Sequence, residues 1–130
     1  MVQYARWLFG ISALVNFSVS ALLLLLSDAI ARQLALDPII GTNVVLYNFA
    51  ALVIGLFGYA YLRIAMDPLK FRPFVQLGVA GKLLAFVSAA LPWLMGTVPS
   101  TLALLVSADV IFAAFFIDYL WRTRTSAGPT

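Results

Sequence analysis

The chain has no cysteine, no histidine and no glutamate among its 130 residues. Without cysteine there is no disulfide, no thiol redox chemistry, no iron–sulfur ligation and no cysteine nucleophile. Without histidine the commonest ligand of haem and zinc is missing, and so is the usual general base near neutral pH. Four-helix membrane proteins that oxidise dithiols, or that carry haem between histidines, are set aside on these grounds. No catalytic residue, metal or cofactor is therefore assigned from the sequence. Charge is also scarce: eight Lys and Arg and five Asp give a net +3, and they are scattered around apolar runs. A phosphate-binding stripe would need them clustered, so nucleic acid is not an expected partner.

Apolar residues are what the chain has in abundance. Its hydrophobic content is 64% and its mean hydropathy +1.04, against an apolar share of roughly 45–50% in soluble domains. A soluble fold of this length leaves much of its surface in water and could not hide so much apolar area. Membrane lipid must cover it.

Four long apolar runs, at about 7–26, 42–63, 74–95 and 101–121, define an all-α membrane protein with a four-transmembrane-helix bundle. A helix over the first run would extend about 30 Å, the thickness of a bilayer's hydrocarbon core. Ala29-Ile30-Ala31 mimics a signal-peptidase site behind that run, but the run exceeds the roughly 7–15 apolar residues of a signal core. Residues 27–37 read as a short interfacial helix, capped by Ser27 or Asp28 and limited by Pro38, with a plain loop as the alternative. Arg63, Asp67, Lys70 and Arg72 mark a water-exposed turn in which Arg63 and Asp67 are spaced to pair. That turn could also dock a partner or anionic lipid. Pro73 suits the first turn of the third span, Pro92 is expected to bend its far end, and Ser100 or Thr101 to cap the fourth span. Residues 122–130 form a short polar tail that reads as mobile.

With four crossings the loops alternate sides, and the basic residues divide unequally. Arg6, Arg63, Lys70, Arg72, Arg122 and Arg124 fall on one side and Arg32 alone on the other. The positive-inside rule then places both termini in the cytoplasm, N-in and C-in. Tyr4, Trp7, Tyr119 and Trp121 on the basic side, and Trp93 opposite, stand where interfacial aromatic belts occur.

Three ionisable residues fall inside the spans. Each costs about 2.5–3.5 kcal/mol on insertion scales, so such groups face the bundle interior and find partners. Counting about 1.5 Å per residue puts Asp118 only about 5 Å deep, where Arg122 one turn later can pair with it. Lys82 lies about 12 Å deep and Asp109 about 18 Å, too deep for a short side chain to reach water. Asn16 at about 16 Å and Asn48 at about 22 Å complete a middle layer with one polar group from each helix. Small residues accompany them, notably Gly78, Gly81, Ala85 and Ala89 around Lys82, and Ala51, Gly55 and Gly58 beyond Asn48. Asn16, Asn48, Lys82 and Asp109 are thus the expected polar cluster. They either bind the polar head of a lipophilic molecule or relay a proton, or they hold the helices in register, the role such contacts commonly have.

Nearly the whole chain resembles, in layout, the small bacterial four-helix proteins grouped as DoxX-like. The resemblance rests on Tyr4-Ala5-Arg6-Trp7, the glycine-bearing stretch from Gly55 to Arg63, Asp67-Pro68, Gly81-Lys82-Leu83-Leu84 and Asp109. It implies an inner-membrane protein that partners oxidoreductases in the membrane. The acidic second-helix motif of better-studied members has no counterpart here, which speaks against quinone-linked redox work. The resulting expectation is an accessory or interaction subunit, or a small lipophile-binding module, with membrane lipid, a lipophilic small molecule, a membrane protein or further copies of itself as partners. A small transporter or channel using the midplane cluster is the second reading, and an enzyme acting on a lipid or isoprenoid the third.

Overall fold

The computed structural model describes residues 1–124 and contains five helices: α1 (Val2–Leu25), α2 (Ser27–Gln33), α3 (Thr42–Met66), α4 (Arg72–Leu94) and α5 (Ser100–Arg122). All but α2 are long and apolar enough to cross a membrane. The protein is an all-α, membrane-spanning four-helix bundle, and its large apolar side chains lie mostly on the outside. Leu14, Leu46, Phe49, Leu84 and Leu104 are each about two-thirds exposed or more, the arrangement expected where lipid is the solvent. Because the crossings number four, residue 1 and the end of α5 emerge on the same face, called here the terminal face.

Most helix ends lie outside the apolar runs. α1 begins at Val2 and α3 continues to Met66, a turn beyond Arg63. A charge marks where hydrocarbon ends, but nothing in Val2–Arg6 or Ile64–Met66 breaks a helix. α2 ends at Gln33, short of residue 37, and Ala35 follows with φ 54°. Neither Ser27 nor Asp28 caps it, because α2 follows α1 almost without interruption. The Ile30 amide donates to Leu26 as the Leu26 amide donates to Leu22. Ser100 and Thr101 do not cap α5 either; Pro99 holds that position. Their hydroxyls are used in other contacts, Ser100 accepting from Trp93 Nε1 at 3.1 Å and Thr101 donating to the Leu34 carbonyl at 3.4 Å.

The bundle is built from two closely packed pairs, α1 with α3 and α4 with α5, which meet mainly through large side chains. On the terminal-face half these form one core of Ala5, Phe9, Ala13, Tyr61, Ile64, Val75, Phe116 and Tyr119. Its rings interlock, with Phe9 and Phe116 centroids 4.7 Å apart and Tyr61 edge-on to Phe116 at 5.3 Å. Glycines make the approach of α4 to α3 possible. A Cβ on Gly78 would stand 2.8 Å from a Tyr61 ring carbon and 3.3 Å from Phe116, and one on Gly81 would stand 2.6 Å from Phe57.

Charges in the loops are deployed differently from their spacing in the sequence. Asp118 and Arg122 pair as expected, at 3.0 Å. Arg63 does not pair with Asp67: its guanidinium lies 4.7 Å from the Phe71 ring centroid, while Asp67 accepts from the Lys70 amide at 3.2 Å. Arg72 turns to the end of α5, donating to the Leu120 carbonyl at 2.9 Å and to Thr123 Oγ1 at 3.3 Å. It thereby satisfies a carbonyl that a helix C-terminus leaves free. The expected polar tail lies, from residue 125 onward, outside the described residues.

Gly78→Ala tests the close approach. Alanine's helix propensity favours it by about 1 kcal/mol, but displacing two buried rings costs about 1–3 kcal/mol. The thermal unfolding midpoint in detergent should fall for Gly78→Ala. It should hold or rise for Gly10→Ala, where a Cβ meets nothing within 4 Å.

Candidate functional site: a buried ion pair

Lys82 lies one turn beyond Gly78 on the stripe of α4 that faces inward, so its stem is enclosed before its ammonium is reached. Its Nζ donates to Asp109 Oδ1 of α5 at 2.9 Å and to Asn16 Oδ1 of α1 at 3.2 Å. The lysine side chain is 8% exposed and that of Asp109 24%, so the pair is buried at the lysine and open at the carboxylate. Asn16 uses its other end too, with Nδ2 donating to the Ile54 carbonyl of α3 at 3.0 Å. The ammonium also lies 5.1 Å from the Phe112 ring centroid and 5.5 Å from that of Tyr61, within the range of cation–π attraction.

Three of the four expected residues are therefore brought together, and Asn48 is not. It is exposed, and its side chain makes no hydrogen bond to a described residue. The reason is geometric. The Asn16 amide is level with Ile54, and Asn48 lies six residues away along α3, about 9 Å. At that height α3 gives α1 the adjoining side of its surface: the Tyr47 hydroxyl donates to the Leu23 carbonyl at 2.6 Å and Ser20 Oγ to the Ala51 carbonyl at 2.7 Å. The contribution of α3 to the polar layer is a backbone carbonyl, for which side-chain identity carries no signal. Tyr61 and Phe112, which flank the ammonium, carry no signal in the sequence beyond being aromatic residues of apolar spans.

The layer divides the bundle into unlike halves. Towards the terminal face the aromatic core closes it. Towards the other face α1 and α3 remain joined through Ser20 and Ala51, whereas no residue of α4 after Lys82 and none of α5 before Ala113 is buried. Asp109, with its side chain 24% exposed, lies at the boundary between the two halves. Two surface grooves lie elsewhere. One, of about 340 Å³, is bordered by Asp28, Arg32 and Pro38, and one of about 410 Å³ by Gln3, Arg6 and Gly10. Neither touches the pair.

The pair's energetics give a direct test. Asp109→Leu leaves the Lys82 ammonium enclosed without its counter-ion, a change that costs about 3–5 kcal/mol for buried pairs. Adding Lys82→Met to that variant should recover most of the loss in thermal stability, because apolar replacement of a whole buried pair is often neutral. A double variant as unstable as Asp109→Leu alone would show that the charge is not what matters.

No family model matches the chain, and comparison with curated proteins and with solved structures returns no match.

Proposed function

We propose that this protein is a non-catalytic module of a bacterial inner membrane, with both termini cytoplasmic, that binds the polar head of a lipophilic molecule at Asp109 and Lys82. The observation that carries the reading is the unequal enclosure of the pair. Lys82 is surrounded by Asp109, Asn16 and two rings, whereas a quarter of the Asp109 side chain remains accessible. A carboxylate has about four acceptor sites, so Asp109 retains capacity to accept from a hydroxyl or amide of a ligand while it neutralises the lysine.

The orientation rests on the six-to-one division of basic residues between the two faces. A DoxX-like relationship adds an accessory role beside a membrane oxidoreductase. The aromatic core of Phe9, Tyr61 and Phe116 weighs against a channel, since it fills the centre of the terminal-face half.

Native mass spectrometry of protein extracted from its own membrane tests the proposal. The wild type should retain a lipophile that the Lys82→Met/Asp109→Leu variant has lost while melting at a similar temperature. Equal retention by both, or a wild type free of ligand, would sink the binding role. A retained second polypeptide would favour the accessory role.

A further inference from the structure

Asn48 occupies a costly position. It stands about 9 Å inside the end of α3 that is remote from the termini, counted from Thr42, and Asn side chains are too short to reach water from there. Val45, Leu46, Phe49 and Leu52 around it are each 60–68% exposed, so its surroundings are lipid. Two exposed serines in the other spans meet this problem within their own helix: Ser88 donates to the Ala85 carbonyl at 2.7 Å and Ser107 to the Leu104 carbonyl at 2.6 Å. Asn48 has no such bond among the described residues, and a polar side chain in hydrocarbon is expected to hydrogen-bond across to another helix.

The residues that share its face are spaced for such a partner. Val45, Asn48, Leu52, Gly55, Tyr59 and Leu62 alternate at steps of three and four, the spacing of a helix–helix seam. Leu52 is 60%, Tyr59 51% and Leu62 39% exposed. Gly55 stands at the edge of this seam, since a Cβ there would lie 2.9 Å from Ser20 Oγ and the position turns towards α1.

We infer that a second copy of this chain packs against this face of α3, with Asn48 of each copy hydrogen-bonded to Asn48 of the other about a two-fold axis along the membrane normal. Several properties select a second copy over an unlike protein. Copies inserted in the same orientation present the same residue at the same depth. An amide is both donor and acceptor, so two of them satisfy each other, as does the pair of Tyr59 hydroxyls farther along. The seam from Val45 to Leu62 carries no charge that would require a complementary partner. A single asparagine in an apolar seam also fixes register and favours dimers over larger assemblies, and a two-fold interface is the commonest arrangement of identical subunits. The interface lies outside the Lys82–Asp109 layer, so it stands or falls independently of ligand binding.

The absence of native cysteine gives a clean experiment. Single Val45→Cys, Leu52→Cys and Leu46→Cys variants, which all retain Asn48, are oxidised with copper phenanthroline in native membranes. Disulfide dimers should form at positions 45 and 52 and not at 46, which lies about 200° around the helix from Asn48, because a disulfide needs Cβ atoms about 4 Å apart. In detergent, Asn48→Leu should weaken dimerisation roughly threefold to twentyfold, the range of measured interhelical hydrogen bonds, and Asn48→Gln should largely restore it. Equal cross-linking at 45, 46 and 52, no cross-linking at any of them, or an unchanged monomer–dimer equilibrium in Asn48→Leu would overturn the inference. Cross-linking of the seam to a different polypeptide would overturn it as well.

Discussion

An ammonium in the interior of a bilayer has to be neutralised by something within reach, and in this protein the reach of Lys82 is set by its own helix. The Asp109 carboxylate 2.9 Å away and the Asn16 carbonyl oxygen 3.2 Å away satisfy two of its three N–H donors. Because these partners sit on α5 and α1, one lysine commits three helices to a common depth, and Asn16 extends the constraint to α3 through Ile54. Each bond is modest by itself. Their joint effect is to exclude the helix rotations and slips that would leave Lys82 alone in hydrocarbon, where the cost of an unpaired ion is several kcal/mol.

Packing follows from this layer on one side and departs from it on the other. Between the pair and the terminal face, Gly78 and Gly81 let α4 come close to α3, and the rings of Phe9, Tyr61, Phe116 and Tyr119 fill the space between the helix pairs. Beyond the pair α1 and α3 stay joined by hydroxyl groups of Ser20 and Tyr47, while α4 and α5 present no buried residue. One half of the molecule is thus held by interlocked rings and the other by hydrogen bonds within a single helix pair. The exposed edge of Asp109 lies at the junction, which is why that carboxylate, rather than either surface groove, is the place to look for a ligand.

How much of the candidate site could be read in advance depended on the kind of information involved. Depth is nearly one-dimensional in a spanning helix: counting residues from the charged ends was enough to place Lys82, Asp109 and Asn16 in one layer and to leave Asp118 to Arg122. The same count set Asn48 apart from Asn16 by only about 6 Å, and the true separation along α3, together with the side of the helix it faces, takes it out of the layer. Helix caps escape the sequence for a related reason. Ser100 and Thr101 have the chemistry of caps, but Trp93 and the Leu34 carbonyl compete for their hydroxyls, and both lie in other parts of the chain.

By itself the sequence determined that this is a helical membrane protein with four crossings, because long apolar runs admit hardly any other arrangement in lipid. It also led to the expectation that Lys82 and Asp109 turn inward and find partners, since an unpaired charge is costly there. Only the tertiary structure decided which helices adjoin, which rings surround the ammonium and which amide is left without a partner. Those outcomes depend on the rotation of each helix about its axis, and that angle is set by side-chain contacts between distant segments rather than by the hydropathy of any one of them.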